Sequence, residues 1–319
     1  MISLKEKYKD YFHIGAAVNA RTIDSYSDLL KEHFSSITCE NEMKYSSVCN
    51  EEGKYDFSRA DKIYEFAKEN KLILRGHTLV WHNQTPKWIF ENATKEILLE
   101  RIRNHIALIG NRYDVDCWDV VNEAIEDKTD INLRDTKWLS IIGEDFMDHI
   151  FTMTKELLPG KKLFYNDYNE TDPCKRVKIY NAVKDMLDRG IAVDGLGMQC
   201  HWSIYHPSID ELRRTFELYS TLNIPIHITE MDVSLYQFND RNALLTPPKE
   251  LLEQQAKVYG EFFKVFREYK DIIECVTTWG IADDYTWLDY FPVPRRKNWP
   301  LLFDIEHKPK EALLRILDF

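Results

Sequence analysis

The chain repeats one pattern along its length: a short apolar run ends in a polar or charged cluster, and a segment with helical periodicity follows. Short apolar runs between turn signals predict strands, whereas apolar residues spaced three and four positions apart predict helices. In the segment DKIYEFAKEN, for example, Ile63, Phe66 and Ala67 share one helical face. Eight apolar runs can be identified, at residues 12–18, 35–41, 72–78, 117–123, 162–168, 194–200, 224–230 and 274–280.

This alternation restricts the possible architectures. Parallel strands joined by helices are buried on both faces, and eight of them in 319 residues fit a closed barrel better than an open sheet. No glycine-rich GxGxxG or GxxxxGK[ST] turn supports a nucleotide-binding α/β fold. We therefore predict an α/β fold, a single (β/α)8 TIM barrel, with one catalytic domain over residues 1–319. The polar clusters that close the runs should then face one mouth of the barrel.

Composition excludes several partners. The net charge is −11, and the basic residues are interspersed with acidic ones, so we expect neither a nucleic acid nor a membrane surface as partner. No window approaches the ~18 apolar residues of a membrane-spanning helix. The beginning, MISLKEKYKDYFHIG, lacks the features of a secretory signal, so we expect a cytoplasmic location, with a secreted protein whose leader was removed as the alternative. The six cysteines lack zinc-ligand spacing and are expected to be free thiols.

Two glutamates are the main candidates for chemistry. Glu123 closes WDVVNEA and Glu230 closes HITEMDV, at the predicted ends of strands four and seven. Two carboxyl groups facing each other across a barrel mouth are what glycoside hydrolysis needs, one protonated and one ionised. Taken alone, either glutamate is more typical of a strand-end carboxylate in a salt bridge than of a catalytic group. Their neighbours favour chemistry: Asn122 precedes Glu123, His201 ends the sixth strand, and Asp232 follows Glu230 by two residues.

Five segments together resemble one known family. These are WDVVNEA, ITEMDVS, ENEMK at 40–44, RGHTLVWH at 75–82 and the WG pair at 279–280. They look like glycoside hydrolase family 10, the retaining endo-1,4-β-xylanases, and the resemblance extends from about Tyr11 to Phe303. It implies double displacement on xylan or xylo-oligosaccharides through a covalent glycosyl-enzyme intermediate, with no cofactor and no metal.

The resemblance also implies residue roles. Glu123 is the acid/base, whose pKa must be raised in the free enzyme, and Glu230 is the nucleophile. His201 should hydrogen-bond Glu230 and be held by Asp232, while Asn122 should bind the 2-hydroxyl of the sugar. The residues expected to bind sugars on the non-reducing side are Glu40, Asn41, Lys44, His77 and Gln84.

The remaining substrate-binding residues are mostly aromatic. The tryptophans expected to line the cleft beside the scissile bond are Trp81, Trp279 and Trp287. Tyr168 and Asn169 match positions on the leaving-group side, and Gln199 matches one near the catalytic pair.

Some features depart from the family pattern. A bulky Trp202 follows His201, which leaves the shape of the groove open, and Arg295 and Arg296 are candidates to bind acidic side groups of xylan. Three alternatives stay open: a retaining β-1,4-glucanase or related (β/α)8 glycosidase, a carbohydrate-binding barrel without activity, and a metal-dependent sugar isomerase. Nothing in the sequence indicates an oligomeric state.

Overall fold

Strands and helices alternate in the computed structural model of the protein, which describes residues 2–319. The strands are β1 (His13–Val18), β2 (Ser36–Cys39), β3 (Ile73–Gly76), β4 (Val80–Trp81), β5 (Cys117–Asn122), β6 (Lys162–Asp167), β7 (Gly195–Met198), β8 (His201–Ser203), β9 (Ile226–Ser234) and β10 (Ile273–Thr278). The helices are α1 (Leu4–Tyr8), α2 (Ser27–His33), α3 (Tyr45–Val48), α4 (Ser58–Glu69), α5 (Lys95–Arg112), α6 (Lys137–Ile142), α7 (Phe146–Leu157), α8 (Pro173–Asp188), α9 (Ile209–Ser220), α10 (Lys249–Glu268) and α11 (Glu311–Leu317). Short 3₁₀ turns cover Lys87–Phe90 and Trp287–Asp289.

Eight of the strands close into a parallel barrel. Their order is β10, β1, β2, β3, β5, β6, β7, β9, and pairing of β9 with β10 completes the ring. The short strands β4 and β8 add to the rim by pairing with β5 and β9. The prediction of a (β/α)8 barrel is confirmed, and each of the eight apolar runs overlaps one barrel strand.

The predicted end of the seventh barrel strand is wrong. Strand β9 continues past Glu230 to Ser234, because β8 provides a second partner and pairs His201 with Asp232. Met231 and Val233 are fully buried, so the apolar pattern also continues beyond the glutamate. His201 accordingly begins β8 rather than ending the preceding strand.

The helices cover the outside of the barrel with apolar faces and begin at defined caps. On α10, Phe262, Phe263 and Phe266 are almost completely buried, and each such side chain contributes roughly 1.5–3 kcal/mol. Helix α9 begins with a capping box in which Ser208 and Glu211 satisfy each other's backbone N–H groups.

All six cysteines are free thiols, as expected. Over residues 2–319 no helix has the length and apolar character needed to cross a membrane.

His105 on α5 is an unusual core residue. Its side chain is fully buried and stacks on Tyr45, with ring centroids 3.6 Å apart and planes at 11°. Within residues 2–319 neither ring nitrogen has a hydrogen-bond partner. Burial lowers the pKa of His105 to about 3, so the folded protein holds the ring neutral.

We expect His105→Phe to reduce the loss of stability at acid pH. The unfolded chain protonates His105 below about pH 6.5, whereas the folded chain does not until about pH 3, so the histidine destabilises the fold by up to about 1.4 kcal/mol per pH unit in that window. Denaturant unfolding between about pH 6 and pH 4 measures this slope. The exposed His13 provides the control substitution, His13→Phe, and equal slopes in wild type and H105F would contradict the interpretation.

Candidate active site

Glu123 and Glu230 both lie at the carboxyl-end mouth of the barrel and are 9% and 5% exposed. Glu123 directly follows β5 and has a φ of 60°, in the left-handed region that side-chain-bearing residues disfavour. Its backbone N–H donates to the carbonyl of Asn166 at 2.9 Å, which stabilises this turn. Neighbouring strands therefore hold the Glu123 backbone in an orientation that an isolated loop would not adopt.

Amide side chains connect the two carboxyl groups. Asn122 Nδ2 donates to Glu123 Oε1 at 3.1 Å, and Asn122 Oδ1 accepts from Asn166 Nδ2 at 2.9 Å. Asn166 Nδ2 also lies 2.8 Å from Glu230 Oε1. Gln199 Nε2, directly after β7, donates to Glu123 Oε1 at 2.9 Å. The glutamates thus share one hydrogen-bonded network.

Sequence reasoning missed Asn166. It lies near the end of β6 and is in register with Asn122 of β5, so its side chain points into the same layer of the barrel mouth. Thr229 donates to its Oδ1 at 2.7 Å and fixes the orientation of the amide. The rule that strand-end polar residues meet at one mouth could have identified Asn166, since it belongs to the polar end of the run at 162–168.

The predicted chain from Glu230 through His201 to Asp232 is present. His201 Nε2 lies 3.2 Å from Glu230 Oε2, and Nδ1 lies 2.9 Å from Asp232 Oδ2. Trp287 Nε1 donates to the same Asp232 oxygen at 2.8 Å, so this tryptophan is anchored beside the His201 ring. Burial opposes a charge on His201, but the carboxylates of Asp232 and Glu230 outweigh it and raise the pKa of His201 to about 10.

The two glutamates have opposite pKa shifts. Burial raises the pKa of Glu123, and the nearby charges of Asp167 and Glu230 add to this effect, while the hydrogen bond from Gln199 partly offsets it. Burial also acts against ionisation of Glu230. There, however, the hydrogen bond and charge of His201, together with the Lys44 ammonium, hold the pKa below its usual value. One carboxyl group is thus favoured as an acid and the other as an anion.

The residues predicted for the non-reducing side form a polar wall on one flank of the mouth. Asn41 Oδ1 accepts from Lys44 Nζ and from Gln84 Nε2, each at 3.1 Å. Lys44 also lies 4.6 Å from the centre of the Trp81 ring. This arrangement places a cation, amides and an aromatic face next to one another, which suits a pyranose ring.

Glu40 has two partners that sequence reasoning missed. Asn19 Nδ2 donates to Glu40 Oε2 at 3.2 Å, and the Tyr285 hydroxyl donates to Oε1 at 3.4 Å. Glu42, the other carboxylate of the ENEMK segment, accepts instead from the backbone of Ala20 at 2.9 Å and therefore has a structural role. Asn19 directly follows β1, so the same strand-end rule could have identified it, whereas Tyr285 lies in the loop after β10 and no local motif marks it.

The two histidines of the RGHTLVWH segment have different surroundings. His77 is buried with its Nδ1 2.9 Å from Asp119, and its ring packs edge-on against Trp279 at 5.4 Å. His82 Nε2 lies 3.9 Å from Glu123 Oε2, and burial with nearby cations lowers the pKa of His82 to about 4. Sequence reasoning did not predict this approach of His82 to Glu123.

Across residues 2–319 no three His, Cys, Asp or Glu side chains are grouped as a metal site.

On the predicted leaving-group side, Tyr168 and Asn169 are tied to the loop that follows β5. The Tyr168 hydroxyl accepts from Arg134 at 2.7 Å and donates to Asp127 at 2.6 Å. Asn169 Nδ2 donates to Asp127 at 3.3 Å. These hydrogen bonds hold the two predicted residues in a fixed position, and Arg134 and Asp127 are further members that the sequence did not indicate.

Two of the departures from the family pattern lie away from the cleft. Trp202 packs outward against Phe262 of α10, with ring centroids 4.6 Å apart, and donates to Glu170 at 2.9 Å, so it does not shape the groove. Arg296 is 2% exposed, lies over the Tyr236 ring and donates to a backbone carbonyl. The expectation that Arg296 binds acidic substituents is therefore wrong, whereas Arg295 is exposed.

A closed parallel barrel with two buried carboxyl groups of opposite pKa shift at its mouth is the arrangement of a glycoside hydrolase. The model for glycosyl hydrolase family 10 matches residues 3–319. The endo-1,4-beta-xylanase A of Caldicellulosiruptor saccharolyticus is 50% identical over 100% of this chain and 96% of that protein. The endo-1,4-beta-xylanase B of Paenibacillus barcinonensis is 49% identical over 99% of this chain and 97% of that protein.

The fold comparison agrees with the sequence comparison. A crystal structure of a xylanase from Paenibacillus barcinonensis, complexed with a conduramine derivative, superposes with a TM-score of 0.98 at 48% identity and covers 99% of this chain and 98% of that chain. The chain belongs to glycosyl hydrolase family 10.

Replacing His201 should move the acid limb of the pH–activity profile to higher pH. In His201→Asn, Glu230 loses a cationic hydrogen-bond donor, so its pKa should rise by about one unit or more and ionisation should require a higher pH. The measurement is kcat/KM of an aryl glycoside against pH. His206→Asn, at an exposed histidine on the same connection, is the control. An unchanged acid limb in H201N would refute the role of His201.

Proposed function

We propose that the protein is a retaining endo-1,4-β-xylanase that cleaves xylan or xylo-oligosaccharides by double displacement. The observation that carries this proposal is the pair Glu123 and Glu230, which have opposite pKa shifts and are connected through Asn122 and Asn166. The full-length likeness to proteins named endo-1,4-beta-xylanases supports the choice of substrate. The predicted cytoplasmic location and the single-domain extent stay predictions.

In the first step, the Glu230 carboxylate attacks the anomeric carbon while Glu123 donates its proton to the departing glycosidic oxygen. The bond between anomeric carbon and leaving oxygen breaks as the bond to Glu230 forms. This step removes the negative charge of Glu230. Because that charge contributes to the raised pKa of Glu123, its removal lowers the pKa of Glu123. Glu123, now ionised, acts as the base in the second step, in which it takes a proton from the water that attacks the glycosyl-enzyme.

The surroundings of the pair support the proposal that the cleft binds a β-1,4-linked xylose chain. Glu40, Asn41 and Lys44 present donors and acceptors to sugar hydroxyls on one flank, as Tyr168 and Asn169 do on the leaving-group flank. Flat pyranose faces stack on the tryptophans, of which Trp287 is held rigid by its bond to Asp232. Asn122 is hydrogen-bonded to Glu123 and, through Asn166, is connected to Glu230, which supports its proposed contact with the 2-hydroxyl, a bond that strengthens in the transition state.

Removal of the nucleophile should abolish turnover of every glycoside. We expect Glu230→Gln to retain less than about 1% of wild-type kcat, a loss of ~3 kcal/mol or more in transition-state stabilisation, because no other group attacks the anomeric carbon. Glu170→Gln is a matched control, since Glu170 is equally buried but accepts from Trp202 on the outer side of the barrel. Activity of E230Q above that level would make the assignment wrong.

Removal of the acid should depend on the leaving group. Glu123→Ala should retain turnover of dinitrophenyl glycosides, whose leaving group needs no proton, while cleavage of xylan falls by about 10²-fold or more. The ratio of the two activities is the measurement. Equal loss on both substrates would count against the acid role of Glu123.

A time course on xylan and on xylo-oligosaccharides of defined length tests the whole proposal. Proton NMR should show the β-anomer as the first product, with internal bonds cleaved before terminal ones. A first-formed α-anomer would indicate inversion and would refute double displacement. Faster turnover of an aryl cellobioside than of the matching aryl xylobioside would instead identify a β-1,4-glucanase.

A further inference from the structure

A chain of hydrogen-bonded polar groups crosses the barrel interior, from the exposed Glu274 at the amino-end mouth to the buried His77 at the cleft. At the amino end, Glu274 of β10 accepts from Lys162 at 3.0 Å and lies 3.3 Å from Nε2 of His227. His227 Nδ1 lies 2.9 Å from Nη1 of Arg75, which belongs to β3 on the other side of the barrel. None of these groups enters the reaction proposed above.

The chain continues from Arg75 to the cleft. Two nitrogens of the Arg75 guanidinium donate to the two carboxylate oxygens of Asp119, with Nε 3.0 Å from Oδ2. The same Oδ2 lies 2.9 Å from Nδ1 of His77. Arg75 and Asp119 are 4% and 1% exposed, and His77 is 1% exposed, so water competes little for these hydrogen bonds. One carboxylate oxygen of Asp119 therefore contacts both Arg75 and His77.

This geometry determines which nitrogen of His77 carries a proton. A carboxylate oxygen only accepts, so His77 must donate from Nδ1, and Nε2 is the atom left to meet a ligand. No side chain within residues 2–319 hydrogen-bonds Nε2. The bidentate bond from Arg75 prevents the Asp119 carboxylate from rotating, because both of its oxygens are engaged.

A buried ion pair of this kind is a costly way to stabilise a core. Apolar residues of similar volume frequently stabilise a protein as well or better, since the charges must lose their hydration. The guanidinium is also enclosed by Phe164, whose ring centre lies 4.6 Å away, so it has little polar surrounding apart from its hydrogen-bond partners. A role in orienting His77 explains why the charges are retained at this place.

We infer that Arg75 is a positioning residue for the cleft: supported by His227, it orients Asp119, and Asp119 holds His77 with Nε2 toward the sugar at the scissile bond. The effect of Arg75 on catalysis rests on the proposed glycosidase function. Its effect on the orientation of the His77 ring does not depend on that function.

A double-mutant cycle tests the inference. Arg75→Met should lower kcat/KM for an aryl xylobioside by about 10- to 100-fold, the loss that is typical when a partner that orients a metal-ligating histidine is removed. In a His77→Ala background the same substitution should lower kcat/KM less than about twofold, because the residue through which Arg75 acts is already absent. Equal fold losses in both backgrounds would overturn the inference and assign Arg75 a general structural role.

Lys310→Met is the matched control, since Lys310 forms another buried ion pair, with Asp283 at 2.7 Å, that does not contact His77. Its effect on kcat/KM should be the same in both backgrounds. Asp119→Asn and Arg75→Lys repeat the cycle with smaller changes in volume, so the test does not depend on the folding of R75M. Arg75→Lys should retain the charge but lose the bidentate bond, and an R75K protein with wild-type kcat/KM would contradict the requirement for two-point contact.

A second measurement does not depend on activity. Nitrogen-15 NMR of the free protein, with His77 assigned by comparison with H77A, reports which ring nitrogen is protonated. In wild type we expect Nδ1 of His77 to be protonated. In D119N we expect protonated and unprotonated Nδ1 to coexist, because the amide that this substitution introduces can donate to an unprotonated Nδ1. An unchanged His77 signal in D119N would overturn the inference even if the protein cleaves xylan. If the protein cleaves no glycoside at all, the proposed function fails, while the NMR result still decides the positioning role.

Discussion

Burial in one water-poor cleft disfavours ionisation of both catalytic carboxyl groups, and this loss of hydration governs the rest of the site. The protein resolves it by giving the two groups different neighbours. Glu230 faces His201 and Lys44, which favour its anionic form, whereas Glu123 faces Gln199 and the negative charge of Asp167. Before any substrate binds, the two pKa values are therefore already shifted in the opposite directions that glycoside hydrolysis requires.

The barrel holds these neighbours in place at a cost in local stability. Glu123 has a left-handed backbone, and several ionic side chains, among them Arg75 and Asp119, occupy a core that apolar residues would fill more favourably. Closed strand pairing and the surrounding helices supply the stability that tolerates these features. Function and core packing are thus coupled through the strands, because the same strand that carries His227 continues to Glu230.

Much of the architecture was predictable because it depends on local patterns. The βα alternation predicts the eight barrel strands, and the motifs identify residues such as Glu123, Glu230 and His201, which the structure brings together. The errors have specific causes. Strand β9 extends beyond Glu230 because β8 adds a pairing partner that no local pattern reveals, and Trp202 faces outward because β8 directs it toward α10.

The sequence by itself determined the class of fold, the family and the residue types available at the barrel mouth, since periodicity and short motifs are properties of neighbouring residues. Only the tertiary structure decided which partners those residues meet. Asn166, Asn19 and Tyr285 join the site, and Arg75 lies next to Asp119 and His227, through contacts between residues far apart in the chain. Such contacts depend on strand register and barrel closure, and contacts of this kind shift the pKa of each catalytic carboxyl group, because a charge acts through space rather than along the sequence.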